Sequence, residues 1–197
     1  MITVIDNGGA NIASLLSALA RLGAEAKVTS NHSTIRGASH VILPGVGAAQ
    51  DSVARLRASG LDALIPSLAQ PLLGICLGMQ LLFSSSEEGP SECLGLLPGT
   101  VTRLKPTADV RVPHAGWNRV RWRRSHLLTT GLDNGNDWFY FMHSYAVMNT
   151  DTALGTTEAG GSFAAVVSRG NIAGVQFHPE RSGMAGARLL RNFLEMQ

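Results

Sequence analysis

The chain has 197 residues, 15% of them charged, and a formal net charge of +2. That length accommodates one α/β domain with a well-buried interior, and so small a charge argues against a nucleic-acid partner. Two cysteines are too few for a disulfide framework, which fits a reducing cytosol and a cytoplasmic protein.

Ordinary soluble domains carry roughly a quarter charged residues. The low charge and the 22 glycines therefore suggest tight loops, a large interior and a surface covered by a partner. The opening "MITVIDNGG" has no basic start, and its apolar run is too short for a signal peptide.

"ITVID" predicts a first strand that ends in the glycine loop "NGGAN". Ile12, Leu15, Leu16 and Leu19 then recur at helical spacing, and Gly23 follows as a stop signal. "AKVT" and "HVILPG" read as further strands, "QPLLGIC" as another, and "LGMQLLFSSSEE" as the helix after it. No residue from Ala63 to Ser86 is charged, which imitates a membrane span. Pro66, Pro71, Gly74 and Gly78 interrupt the stretch and fit a helix end, a loop, a buried strand and a second helix, so no membrane partner is expected.

The second half changes character. "GTVTRL", "WNRVRW", "WFYFMHSYAVM" and "AAVVSRG" are strand-like and are joined by turns such as "DNGND". "NIAGVQFHPE" is a last strand running into a loop, and "AGARLLRNFLEM" a closing helix with Leu189, Leu190, Phe193 and Leu194 on one face. The expected fold is α/β and a single domain over residues 1–197. It has a central, mostly parallel sheet flanked by helices, with antiparallel hairpins added to that sheet. The basic run from Arg119 to Arg124 reads as a solvated face.

Gly74-Ile75-Cys76-Leu77-Gly78 has the G-x-nucleophile-x-G form of a strand-to-helix elbow. The glycines are required because side chains there would collide with the neighbouring strand and helix. Cys76 would sit at a helix N-terminus that favours its thiolate, and the Leu77 amide would point where an oxyanion forms. A nucleophile needs a base and the base an orienting group. His178 precedes Pro179, which favours an extended backbone, so Glu180 two residues on can reach the same ring. The three together read as a Cys76–His178–Glu180 triad. His32, His40 and His126 lie in ordinary contexts, and Cys93 reads as packing. No metal-ligand spacing occurs, and "DNGGANIAS" fits neither a dinucleotide fingerprint nor a P-loop, so no metal and no cofactor are expected.

"GICLGMQ" and "GVQFHPE" resemble the two central motifs of the class I (triad) glutamine amidotransferases, and "LPGVG", Leu43 to Gly47, is similar to their oxyanion strand. "PHAGWN", "FMHSY" and "HPERS" before a "LLRNFL" helix resemble members that serve as glutaminase subunits in histidine biosynthesis. The likeness spans nearly the whole chain. It implies that Cys76 attacks the side-chain carboxamide of glutamine, while His178 takes the thiol proton and passes it to the departing ammonia. Water then hydrolyses the glutamyl thioester. It also implies an oxyanion hole from the Leu77 and Val46 amides, and glutamine positioned by Gly47, Gln80, His143, Ser144 and Tyr145. The ammonia would pass to a separate cyclase subunit with a (β/α)8 barrel fold, in a heterodimer. In the free chain, a carbonyl of Pro44 to Gly47 is expected to occupy the place of the Val46 amide until the partner binds. Two positions depart from the usual pattern: Asn7 where the family often has Tyr, and Arg181 where it usually has Lys. Rival readings are an amidotransferase serving anthranilate or guanylate synthesis, a stand-alone γ-glutamyl hydrolase, and a binding module that has kept the fold.

Overall fold

The computed structural model describes residues 1–8, 12–89, 91–107 and 110–197, with Ser91 described by its backbone alone. Gly9 to Asn11 of the first glycine loop lie outside the described residues. The first half alternates strand and helix. It runs β1 (Ile2–Ile5), α1 (Ile12–Arg21), β2 (Ala26–Thr29), α2 (His32–Arg36), β3 (His40–Gly45), α3 (Ala49–Ala58), α4 (Leu61–Leu64), β4 (Leu72–Cys76) and α5 (Leu77–Leu81). The second half is mainly strand: β5 (Ser85–Ser86), β6 (Ser91–Glu92), β7 (Thr100–Arg103), β8 (His114–Arg119), β9 (Arg121–Trp122), β10 (Trp138–His143), β11 (Tyr145–Ala146), β12 (Ala153–Glu158), β13 (Ser162–Arg169) and β14 (Ile172–Val175). Helix α6 (Gly183–Leu194) follows.

An eight-stranded sheet in the order β2-β1-β3-β4-β14-β13-β12-β9 forms the centre. Strands β2, β1, β3, β4 and β14 run parallel, and β13, β12 and β9 extend them antiparallel. Period-two alternation assigns the faces. Ile42, Leu73 and Ile75 pack with Leu15 and Leu19 of α1 and with Leu189, Leu190 and Phe193 of α6. Val41, Leu43 and Leu72 point the other way, into a cluster with Val53, Leu56, Leu61, Leu77 and Met79. A sheet covered on both faces can be apolar on both, which explains why every residue of β1 and β4 is buried.

Three expectations from the sequence need correction. The helix after Cys76 stops at Leu81 instead of running on to Glu88. The carbonyls of Leu81, Leu82 and Phe83 are taken by the amides of Leu94, Leu97 and Gly95, each at 2.9 Å. Serines, which favour caps and turns over helix interiors, then enter β5, where Ser85 Oγ meets Thr100 Oγ1 at 3.0 Å. Next, "WNRVRW" and "WFYFMHSYAVM" are each two strands in different sheets. β8 leaves its partner after Arg119, and buried Val120 turns into the core before β9 joins β12. β10 ends at His143, and Ser144 gives its carbonyl to the Leu104 amide at 2.9 Å as β11 pairs with β7. Finally, not all hairpins are added to the central sheet. β8 and β10 form their own antiparallel ladder, and β11, β7, β5 and β6 form a separate four-stranded sheet. Strand β12 and helices α2 to α4 carry no clear sequence signal of their own.

Helix α5 lies almost against backbone. A Cβ on Gly74 would come within 2.7 Å of Gly78 O and Met79 N, and one on Gly45 within 2.8 Å of Gly78 N. A Cβ on Gly78 would run into the carbonyl oxygen of Leu43 in β3. Gly78→Ala should therefore destabilise the protein by about 1–3 kcal/mol, the usual cost of overpacking a tight core, read as a lower midpoint of urea denaturation. An unchanged midpoint would mean that α5 and β3 are not in this contact.

Candidate active site

The elbow is built as its sequence requires. Cys76 has φ 54° and ψ −111°, the one positive φ outside glycine among the described residues. A left-handed cysteine is strained, and the fold holds it there between β4 and α5. Gly45 pairs with Cys76 across the ladder, so Val46 and Gly47 leave β3 directly beside the elbow. A cavity of about 310 Å³ opens there. Its lining brings together Cys76, Leu77, Val46, Gly47, Gln80, His143, Ser144, Tyr145, His178 and Glu180, which are all the site residues singled out in the sequence.

His178 stands where β14 ends. Its backbone amide donates to Tyr140 O at 2.9 Å, and its ring Nδ1 meets Glu180 Oε1 at 2.9 Å. Glu180 reaches the ring by a route other than the extended one expected, because Pro179–Arg181 form a 3-10 turn. Ser182 fastens the turn: its hydroxyl donates to His178 O at 2.6 Å and accepts from the Tyr140 amide at 3.0 Å. The Cys76 thiol lies close enough to the same ring to favour its protonated form. Burial alone would strip the ring of its proton, but the hydrogen bonds and opposite charges of Cys76 and Glu180 outweigh it and push His178 up to about 10. Cys93, outside the cavity lining, is a thiol that burial pushes up to about 11, which suits packing and not nucleophilic chemistry.

A polar chain backs the cavity. The Tyr145 carbonyl accepts from His143 Nδ1 at 2.9 Å and from Gln80 Nε2 at 2.7 Å. A carbonyl only accepts, so His143 carries its proton on Nδ1, and its Nε2 accepts from His114 Nδ1 at 3.1 Å. His114 Nε2 then accepts from the Asn118 amide at 3.2 Å, whose Nδ2 also donates to Glu158 O at 3.0 Å. Burial lowers His114 and brings His143 down to about 3, the latter against the opposing hydrogen bond to Tyr145 and helped by the neighbouring rings of His114 and His178. Both ring nitrogens of His143 are thus engaged within the protein.

Sequence reasoning missed His114, Gln176 and Ser182. Gln176 had a readable signal: an amide on an apolar strand, two residues before His178. The departures from the family pattern have local settings. Asn7 is buried and donates to Ser52 Oγ at 3.1 Å, and the Arg181 guanidinium lies 5.0 Å from the centre of the Tyr140 ring. Among the described residues, no cluster of three or more His, Cys, Asp or Glu could hold a metal ion, and no helix is long and apolar enough to cross a membrane.

Residues 3–196 match the family Glutamine amidotransferase class-I. The chain is 52% identical over 195 residues to the imidazole glycerol phosphate synthase subunit HisH of Xanthomonas oryzae pv. oryzae, covering 99% of this chain and 97% of that protein. It is 51% identical, at the same coverage, to the subunit of that name from Xylella fastidiosa. In fold it resembles a crystal structure of a glutamine amidotransferase, with TM-score 0.76, 23% identity and coverage of 98% and 97% of the two chains. It also resembles the structure of PurLQS from Thermotoga maritima, with TM-score 0.70, 20% identity and coverage of 98% and 97%. The chain belongs to the class I glutamine amidotransferases.

The lowered His143 has a measurable consequence. In the unfolded chain a histidine binds its proton near 6.5, whereas folded His143 binds it only near 3. The stability this neutral ring contributes is complete above about pH 6.5 and is lost as pH falls toward 3. Between pH 7 and pH 5 the loss should reach about 2 kcal/mol. His143→Gln, which can donate to Tyr145 O and accept from His114, should lose less stability over that interval by about this amount. Urea unfolding of both proteins at the two pH values checks it, and equal losses would contradict it.

Proposed function

We propose that this chain hydrolyses glutamine as the glutaminase subunit of imidazole glycerol phosphate synthase and delivers the ammonia to a cyclase subunit in histidine biosynthesis, in the cytoplasm. The reading is carried by one observation: a strained Cys76, a His178 held by Glu180, and a small cavity beside them, in a chain alike along nearly its whole length to subunits of that synthase.

Glutamine enters with its carboxamide against Cys76. The Cys76 sulfur attacks the carbonyl carbon, and the oxyanion is held by the backbone amides of Leu77 and Val46. With Nδ1 committed to Glu180, the other ring nitrogen of His178 faces the sulfur. A ring that keeps its proton up to about 10 is ready as the acid: it protonates the amide nitrogen as the carbon–nitrogen bond breaks and ammonia leaves. Water attacks the glutamyl thioester, the now neutral ring takes its proton, and collapse releases glutamate and restores the sulfur–ring pair. Because the His143 ring is fully engaged, glutamine is held at this wall by the backbone of His143, Ser144 and Tyr145, opposite Gly47, while Gln80 braces the wall from behind.

The cyclase, a (β/α)8 barrel, docks over the cavity mouth. Val46 and Met142 line that mouth and are exposed, as are Trp117 and Trp138 on the β8–β10 ladder. Large exposed apolar side chains gathered on one face favour a contact surface, and Arg181 above Tyr140 lies at its edge.

Cys76→Ala should reduce glutamine-dependent turnover of the reconstituted complex by at least about 10⁴-fold, while ammonium salts still support the cyclase reaction. Glutamate release is the measurement, with and without the cyclase subunit. Retained glutamate release in Cys76→Ala would overturn the assignment, and equal rates with and without partner would favour the stand-alone hydrolase.

A further inference from the structure

We propose that Gln176 is a further catalytic residue, whose side-chain amide donates a hydrogen bond to the Cys76 sulfur and stabilises the thiolate that attacks glutamine. Its Nε2 lies 3.9 Å from Sγ, within reach of a sulfur acceptor. The side chain is fully buried, so no water competes for it and the interaction runs in a medium of low dielectric.

The direction of the bond follows from its neighbours. The Tyr145 carbonyl can only accept, so the nitrogen of Gln80 faces it, at 2.7 Å. That same NH2 group donates to Gln176 Oε1 at 3.1 Å. With its oxygen committed to Gln80, Gln176 turns its NH2 toward Cys76. Nor is the Tyr145 carbonyl free to move, since His143 Nδ1 donates to it from the other side. A fixed carbonyl therefore dictates the orientation of two buried amides and ends in a donor aimed at the nucleophile.

The sulfur has a second contact of opposite preference. The Met142 carbonyl lies 3.8 Å from Sγ and can only accept the thiol proton, so it favours the neutral thiol. Gln176 favours the anion. Helix α5, at five residues, is too short to do this work with its dipole alone. A buried amide on an otherwise apolar strand costs free energy unless both of its ends are satisfied. Gln80 satisfies one end of Gln176 and the sulfur the other. The titratable and charged groups lining the cavity that this sulfur faces are His178, Glu180 and Arg181 after β14, His143 and Tyr145 from β10 and β11, and Glu88 after β5. Gln176 carries no charge, so its removal shifts the thiol without removing one.

The inference rests on Cys76 as the nucleophile, and its test reads the thiol directly, independently of glutamine turnover. The rate of Cys76 alkylation by iodoacetamide is followed against pH in the full chain, with Cys76 and Cys93 peptides resolved by mass spectrometry. Gln176→Met preserves volume and accepts from Gln80 on its thioether but offers the sulfur no proton. Loss of one donor to a charged acceptor should lower the Cys76 alkylation rate about tenfold near neutral pH and move its profile upward by about one pH unit. A variant with native near-UV circular dichroism and a wild-type profile overturns the proposal. In the wild-type chain, the side-chain amide protons of Gln176 should shift in NMR spectra as Cys76 is ionised, and an unresponsive amide likewise overturns it. Glutamate release by the wild-type complex is measured beside these, so failure of the glutaminase reading is seen separately.

Discussion

Everything at the site depends on how closely α5 is pressed onto β3 and β4. Gly45, Gly74 and Gly78 remove three Cβ atoms from one small volume, and each would otherwise strike backbone. With those atoms gone, the chain can leave β4, reverse through a left-handed Cys76 and start a helix without moving the strand beneath. The strain stored at Cys76 is of order 1–3 kcal/mol, and burial of Leu77, Met79 and Leu81 against the sheet offsets it. Cys76, raised on such a turn, lines the cavity.

Two histidines in that cavity are driven in opposite directions by the same physics. Burial opposes charge on both. His178 overcomes it through the hydrogen bonds and opposite charge it meets at Cys76 and Glu180. His143 meets a carbonyl on one side and a neutral ring on the other, and the one group that favours its protonation, the Tyr145 carbonyl, is outweighed by burial. Depth and partners both differ: His143 is the more deeply buried, and its partners favour a proton less. This separates a ring that holds its proton from one that stays neutral in the wall.

Much of this was legible in the sequence. The elbow glycines, the strand before Cys76, the His178–Glu180 pair and the parallel first half all follow from local spacing and from residues whose conformational limits are known. What was not legible depends on long-range competition. Leu81 to Phe83 could have continued a helix, yet the amides of Leu94, Gly95 and Leu97, far along the chain, take their carbonyls. The runs around Val120 and Ser144 look continuous because alternation persists through them. Only the choice of partner strand reveals the breaks. His114 was silent for the same reason: its importance lies in a hydrogen bond to His143, 29 residues away, which no local pattern encodes.

Those same breaks are what complete the cavity. Where the chain changes sheets at Ser144, the Ser144 carbonyl is taken by the Leu104 amide beside β7. The next carbonyl, that of Tyr145, accepts from His143 and Gln80 at once. The first half of the chain therefore supplies Cys76 from a regular parallel sheet. The second half supplies its surroundings from irregular crossings, where backbone groups released from pairing are available to side chains. A polar site set in so apolar an interior needs both. Regular strands hold the reacting atoms still, and interrupted ones provide the donors and acceptors that fix which way each buried amide and ring must point.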